Sequence, residues 1–178
     1  MPRLFTGLAI LPDVTQHLSL MRGGLHGARW IDPENYHVTL RFIGDIEAPV
    51  AREIAATLAQ VDRASFTLRI TGLASFGGRK PRALIATVEP EAALLELQAE
   101  HERLMRRLGL PAEGRKFTPH VTLARLRDTS SLAVAEWLSQ RGYFTPLTVP
   151  VSRFVLYSSR ASTGGGPYVA EQVYPLWG

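Results

Sequence analysis

The same four residues, His-Val-Thr-Leu, occur twice in this chain, at 37–40 and again at 120–123, almost half of the 178-residue chain apart. Both copies lie in runs typical of β-strands, in which residues two apart point to the same face. Each copy therefore presents an imidazole and a hydroxyl on one face, and Val and Leu on the other. A sheet that packs its apolar face on helices and leaves its polar face open would need this pattern.

The elements around the two motifs also repeat in order. Each motif strand is followed by a helix and then by further strands, which favours a duplicated strand-helix-strand unit. We therefore expect a single domain, 1–178, made of two pseudo-symmetric lobes with one motif strand in each. The predicted strands cover 3–11, 36–43, 65–75, 82–88, 119–126, 147–157 and 168–174, and the predicted helices cover 12–22, 49–58, 91–108 and 131–140.

Composition removes several classes of chemistry. The chain has no cysteine, which excludes disulfides, thiolate metal sites and thiol catalysis. Its apolar runs are shorter than the roughly 20 residues of a membrane-spanning helix, and it shows no signal-peptide pattern, so we expect a cytoplasmic protein. The 20 Lys and Arg against 16 Asp and Glu favour a polyanionic partner such as nucleic acid, although the preference for arginine over lysine fits a GC-rich genome equally well.

Two facing His-x-Thr pairs suit one kind of chemistry. A neutral imidazole can take a proton from water while a protonated one gives a proton to a departing oxygen. Threonine hydroxyls and a guanidinium can hold the anion between them. This combination predicts metal-free phosphodiester cleavage with no cofactor. A two-histidine metal site is the competing interpretation, but neither motif has a carboxylate or third histidine at ligand spacing. We assign His17, His26 and His101 to the surface or to local packing.

Longer runs around the motifs read YHVTLRFIG at 36–44 and FTPHVTLAR at 117–125, with FTGLAI at 5–10 and Trp30 before the first motif. These runs resemble the 2H phosphoesterase superfamily, and within it the bacterial RNA 2′,3′-cyclic phosphodiesterases, also called 2′-5′ RNA ligases. The resemblance implies an α+β fold in which two antiparallel sheets, related by a pseudo-two-fold axis, form a central groove with helices on the outside.

The resemblance also implies an activity and roles for four residues. Such enzymes open a 2′,3′-cyclic phosphate at an RNA terminus to a 2′-phosphomonoester, with 2′-5′ RNA ligation as the reverse direction. His37 would be the proton donor to the leaving oxygen and His120 the proton acceptor from water. Thr39 and Thr122 would bind the phosphate. We expect a monomer whose partner is RNA or a nucleotide ending in a 2′,3′-cyclic phosphate, with no membrane partner.

Further substrate ligands are candidates at four positions. Arg125 carries over from the His-x-Thr-x-x-Arg ending of the second motif, although its strand parity is opposite to that of His120. Arg41 lies four residues after His37 and so shares its face by strand alternation, which makes it a second candidate for a substrate-binding cation. The alternative is a charge on the groove wall or on the surface. Phe42 and Phe117 could stack on a base, or belong to the core. The segments 78–82 and 158–160 are candidate tracks for an RNA backbone, or plain solvated turns.

Two alternative functions stay open at this point. The chain could hydrolyse another cyclic or 2′-5′ linked phosphate, such as ADP-ribose cyclic phosphate or 2′-5′ oligoadenylate. It could also be a non-catalytic RNA-binding module that keeps the groove. The presence of both motif histidines counts against the second alternative.

Overall fold

A computed structural model describes residues 3–159 and 166–178, which form one sheet covered by helices. The predicted α+β class is confirmed, and the strands expected in two antiparallel sheets are joined in a single sheet. The strands are β1 (Arg3–Ala9), β2 (Ala28–Trp30), β3 (His37–Asp45), β4 (Phe66–Phe76), β5 (Ala83–Val88), β6 (His120–Leu126), β7 (Leu147–Val151), β8 (Arg153–Ser159) and β9 (Tyr168–Pro175). The helices are α1 (Pro12–Ser19), α2 (Ala48–Leu58), α3 (Ala92–Arg107) and α4 (Ser131–Ser139), with a short 3₁₀ helix at Pro33–Asn35.

The two motif strands are neighbours in the middle of the sheet. The strand order is β7-β4-β5-β6-β3-β1-β8-β9, and all the pairings are antiparallel. Within the described residues, Val38 and Val121 are the one pair that joins β3 to β6. We call this junction the seam. The seam divides the sheet into two halves of four strands, one half containing His37 and the other containing His120. The short strand β2 pairs with β6 at residues 124–126.

The core lies on one face of the sheet, here called the helix face. Val38 and Val121 are fully buried there and belong to one apolar cluster that also contains residues of all four helices, such as Leu18, Ile54 and Leu97. Removing this much apolar surface from water is the main driving force for folding. The opposite face, here called the site face, carries the polar residues of both motifs.

Each motif strand contains a β-bulge at its leucine. Gly7 of β1 pairs with Thr39 but the preceding Thr6 pairs with Arg41, so Leu40 is the extra residue. In the same way Leu123 is the extra residue of β6 opposite β5. A bulge shifts the alternation of side chains by one position. For the residues directly after each bulge, therefore, strand parity counted from the histidine no longer gives the correct face.

One predicted strand is wrong. The run 147–157 was expected to be continuous, but it breaks at Ser152 into β7, which pairs with β4, and β8, which pairs with β1 on the other side of the seam. β7 is an edge strand and contains Pro150. Proline lacks the N–H needed for a second neighbour, so an edge position suits it. The organisation of the chain as one domain of two pseudo-symmetric lobes stays a prediction.

None of the helices in the described part of the chain is long and apolar enough to cross a bilayer.

Candidate active site

The seam brings the two His-x-Thr pairs together on the site face. Because Val38 faces Val121 in an antiparallel pair, each motif histidine lies beside the threonine of the other motif. Burial is the main cause of the lowered pKa of His37, and the charges of His120 and Arg125 lower it further. His120 and Arg125 are thus within electrostatic reach of His37.

Both imidazoles are held in the same tautomer. Nδ1 of His37 lies 2.9 Å from the main-chain carbonyl of Asn35, and Nδ1 of His120 lies 2.7 Å from that of Thr118. A carbonyl oxygen only accepts hydrogen bonds, so each Nδ1 carries a proton and donates it. In the neutral ring this leaves the lone pair on Nε2. The same contact, to the residue two positions earlier, therefore directs Nε2 of both rings to proton transfer.

His37 sits in an aromatic cage. Its ring centroid lies 5.0 Å from that of Phe5, 5.7 Å from Tyr157 and 5.1 Å from Tyr168. Gly7 allows this approach, since a Cβ there would lie 3.4 Å from the His37 ring and 2.8 Å from the carbonyl of Val38. The cage removes water from the imidazole, and this burial lowers the pKa of His37 to about 4.

His120 is held more loosely. The ring of Phe76 meets it edge-on at 4.8 Å. Burial lowers its pKa, and the positive charge of Arg125 adds to the effect. Thr39 Oγ1 lies 2.9 Å from Nε2 of His37, whereas no protein group among residues 3–159 and 166–178 hydrogen-bonds Nε2 of His120. The lone pair of His120 is therefore open to a water molecule or a substrate.

The bulges decide which arginine reaches the site. Arg125, two residues beyond Leu123, is exposed on the site face, and its charge lowers the pKa of both His37 and His120, in addition to burial. Strand alternation alone would place Arg125 on the face opposite to His120, but the bulge at Leu123 brings it to the same face.

The expectation that Arg41 shares the face of His37 is wrong for the same reason. The bulge at Leu40 turns Arg41 to the helix face, where it is only 6% exposed. There it donates to a carboxylate oxygen of Glu102 at 2.6 Å, to the carbonyl of Pro111 at 2.5 Å and to that of Phe42. Arg41 therefore ties β3 to α3 and cannot contact a ligand on the site face.

The two candidate stacking residues lie in different surroundings. Phe42 comes two residues after the bulge at Leu40 and lies on the site face. It is opposite Phe5 of the neighbouring strand β1 and is 47% exposed. Phe117 is partly buried and packs against the apolar core. The exposed ring of Phe42 is thus the one of the two whose surface is open to a base.

The predicted backbone tracks are only partly supported. Arg79 and Lys80 are exposed, and the guanidinium of Arg82 lies 5.9 Å from the centre of the Phe76 ring that contacts His120. Ser158, by contrast, is buried and donates to Glu171 at 2.5 Å, so it faces the protein interior. Arg160 lies outside the described residues.

Several site residues have no sequence signal of their own. Phe5, Tyr157 and Tyr168 come from three strands, and only the pairing of β1 with β8 and of β8 with β9 assembles them. Arg29 belongs to β2, which is three residues long and shows no periodicity, yet it pairs directly opposite Arg125. Side chains directly opposite each other share a face, so Arg29 also lies on the site face.

The assembled groups can bind a phosphate and transfer protons on either side of it. Two imidazoles with matched tautomers supply an acid and a base, the two threonine hydroxyls can donate to phosphate oxygens, and a guanidinium can offset their charge. The described residues contain no cluster of three His, Asp or Glu side chains that could hold a metal ion.

Comparison with solved structures gives the same fold. The crystal structure of E. coli LigT complexed with 3′-AMP superposes with a TM-score of 0.79 at 22% identity, covering 99% of both chains. The crystal structure of TT0787 of Thermus thermophilus superposes with a TM-score of 0.78 at 24% identity, covering 99% of this chain and 98% of that one.

Sequence comparison identifies relatives along most of the chain. An RNA 2′,3′-cyclic phosphodiesterase of Aeropyrum pernix is 35% identical over 141 residues, which are 78% of this chain and 80% of the relative. One of Thermotoga maritima is 31% identical over 176 residues, 93% of this chain and 91% of the relative. The family model of the 2′-5′ RNA ligase superfamily matches residues 15–163. The chain therefore belongs to the 2′-5′ RNA ligase superfamily.

Proposed function

We propose that this protein is a metal-independent RNA 2′,3′-cyclic phosphodiesterase that opens a terminal 2′,3′-cyclic phosphate to a 2′-phosphomonoester. The observation that carries the proposal is the matched orientation of the two imidazoles at the seam, each with Nδ1 donating to the carbonyl two residues earlier. The names of the Aeropyrum pernix and Thermotoga maritima relatives support the same substrate.

In the proposed mechanism the cyclic phosphate lies between the two histidines. Nε2 of His120 accepts a proton from water as the water oxygen attacks phosphorus. The bond from phosphorus to O3′ breaks, and the proton on Nε2 of His37 passes to O3′. The product keeps phosphate on O2′ and has a free 3′-hydroxyl. His37 ends neutral and His120 ends protonated, and solvent restores the starting state.

Different groups would hold the substrate during this step. The hydroxyls of Thr39 and Thr122 and the guanidinium of Arg125 donate to the non-bridging oxygens, where negative charge grows. Phe42 offers an exposed ring to the terminal base. A 5′-hydroxyl of a second RNA that attacks in place of water would give a 2′-5′ linkage through the same groups.

Protonation of His37 would depend on the substrate. Both motif histidines have a lowered pKa in the free protein, so both rings are neutral at pH 7. An anionic phosphate between them favours the charged imidazole and raises the pKa of both. The complex then holds one proton on two interacting rings, and this proton belongs to the pair until the leaving oxygen takes it.

The test is a product assay in the presence of EDTA. The purified protein is incubated with an oligonucleotide ending in a 2′,3′-cyclic phosphate, and ³¹P NMR determines which hydroxyl keeps the phosphate. We expect a 2′-phosphate, at a rate unchanged by EDTA. A 3′-phosphate, loss of turnover in EDTA, or no turnover would contradict the proposal.

Parallel substrates test the alternatives. Faster turnover of ADP-ribose cyclic phosphate or 2′-5′ oligoadenylate would favour another substrate of the same site. RNA binding without turnover, retained after both histidines are replaced, would favour a binding module. The cytoplasmic location and the monomeric state stay predictions.

A further inference from the structure

The site face has a second arginine that the proposed mechanism does not use. β2 pairs with β6 so that Ala28 faces Leu126, Arg29 faces Arg125 and Trp30 faces Ala124. Side chains directly opposite each other on antiparallel strands have Cβ atoms about 5 Å apart. Arg29 therefore stands immediately beside Arg125, on the side away from β5.

The neighbours of Arg29 fix the face to which it points. The ring of Trp30 lies 5.8 Å from that of Trp137 in α4, which covers the helix face. Ala124, opposite Trp30, is fully buried. Since successive residues of a strand point to opposite faces, Arg29 points to the site face, and it is exposed there.

The backbone before Arg29 is hydrogen-bonded to the segment that directly follows β6. Gly27 has a φ of +82°, and a Cβ there would collide with the carbonyl of Arg127. The carbonyl of Gly27 accepts from the N–H of Arg127 at 3.0 Å, and that of His26 accepts from the hydroxyl of Thr129 at 2.9 Å. These contacts hold β2, and with it Arg29, in register against β6.

Two like charges directly opposite each other in a sheet repel and destabilise the pairing. An anion bound between the guanidiniums turns this repulsion into attraction, and the planar fork of arginine is well suited to phosphate oxygens. The charge of Arg125 reaches both motif histidines. Arg125 would then contact both phosphates, donating to the phosphate under attack on one side and sharing the neighbouring phosphate with Arg29 on the other.

We infer that Arg29 and Arg125 form a second phosphate subsite, which receives the internucleotide phosphate immediately 5′ of the terminal nucleotide. This inference rests on the proposed function. It assigns a substrate class to the site, since an RNA oligonucleotide has this phosphate and a cyclic mononucleotide does not. Arg29 is a binding residue for the chain upstream of the reacting end.

The experiment compares adenosine 2′,3′-cyclic phosphate with a dinucleotide that ends in the same cyclic nucleotide. For Arg29→Gln we expect the ratio of kcat/KM for the dinucleotide to that for the mononucleotide to fall about 10-fold, the effect of losing one charged hydrogen-bonded contact. The change should be a rise in KM for the dinucleotide. Arg106→Gln on the exposed side of α3 removes the same charge and should leave the ratio unchanged.

A neutral linkage in the substrate isolates the contact. In a dinucleotide with a methylphosphonate linkage the upstream charge is absent, so the parent protein should lose about as much as Arg29→Gln loses, and the variant should lose little more. An unchanged ratio in Arg29→Gln, or equal loss on both substrates, would overturn the subsite and leave the proposed function standing. Turnover of neither substrate by the parent protein would overturn the proposed function itself.

Discussion

The two halves of the sheet present the same His-x-Thr pair in unlike surroundings. His37 is enclosed by three aromatic rings, its Nε2 is bonded to Thr39 and its pKa is lowered to about 4. His120 has one ring beside it, and burial lowers its pKa too. A repeated motif therefore supplies two matched tautomers, and the surroundings make them unequal. The acid and base roles need one proton on the pair, and the unlike surroundings of the two rings influence how that proton is shared.

The largest expected effect comes from removing either histidine. His37→Ala and His120→Ala should each lower kcat by about 10²–10⁴-fold, the usual contribution of a general acid or base. Steady-state turnover of the cyclic phosphate measures this, with His17→Ala on the exposed surface of α1 as the control. Retention of a tenth of the activity in either variant would contradict the paired role.

A substrate with a better leaving group distinguishes the two roles. A p-nitrophenyl phosphodiester leaves without help from an acid, so it should restore much of the turnover of His37→Ala and little of that of His120→Ala. The opposite pattern would exchange the assignments of donor and acceptor.

Replacing Arg41 should mainly lower the stability of the fold, whereas replacing Arg125 should mainly lower activity. Arg41→Ala breaks an ion pair with Glu102 that is largely buried and should destabilise the fold by about 3 kcal/mol. Arg125→Ala should leave unfolding nearly unchanged and lower kcat/KM by about 100-fold through lost charge stabilisation. Thermal unfolding and turnover of both variants check this, and the reverse pattern would show that the bulges do not set these roles.

The threonines should contribute less than the histidines. Thr122→Val removes one phosphate donor and should lower kcat/KM by about 10-fold, whereas Thr39→Val also removes the hydroxyl bonded to His37 and should cost more. Serine at each position keeps the hydroxyl and should restore most of the activity. Equal rates for the valine and serine variants would show that neither hydroxyl binds the phosphate.

The pH dependence follows from the lowered pKa values of both histidines. The reaction needs one proton on the pair, but the lowered pKa values leave both rings of the free protein mostly neutral above pH 6.5. The competent fraction then falls tenfold for each pH unit. We expect log kcat/KM to decline with a slope near −1 between about pH 7 and 9, and a flat profile over this range would refute the assignment.

The smallest expected effect, and one specific to His37, comes from opening its aromatic cage. Tyr168→Ala should admit water to His37 and raise its pKa from about 4 towards 6.5, because burial is the main cause of the lowering. The pKa of His120 should hardly change. An NMR titration of both rings measures this, and an unchanged pKa of His37 would show that the cage is not the cause.

The repeated motif was enough to predict the class, the two central strands and their shared face, since alternation within a strand is a local property. It could not predict the bulges at Leu40 and Leu123, because a bulge exists only relative to a neighbouring strand. This is why strand parity placed Arg41 on the site face, where the structure has Phe42 instead, and turned Arg125 away from it.

The other features that the sequence did not predict also depend on contacts between distant parts of the chain. The break at Ser152 separates strands that pair on opposite sides of the seam, and nothing local marks it. The cage around His37 and the pairing of Arg29 with Arg125 join residues far apart in the chain. Long-range pairing of strands thus accounts for what the sequence did not reveal.

Titration of the protein with 2′-AMP, followed through the imidazole Cε1–H signals, tests most directly whether both histidines serve one phosphate. We expect the signals of His37 and His120 to shift together, with a single dissociation constant, while that of His17 stays unchanged. A shift of only one of the two motif histidines would show that they do not serve one phosphate.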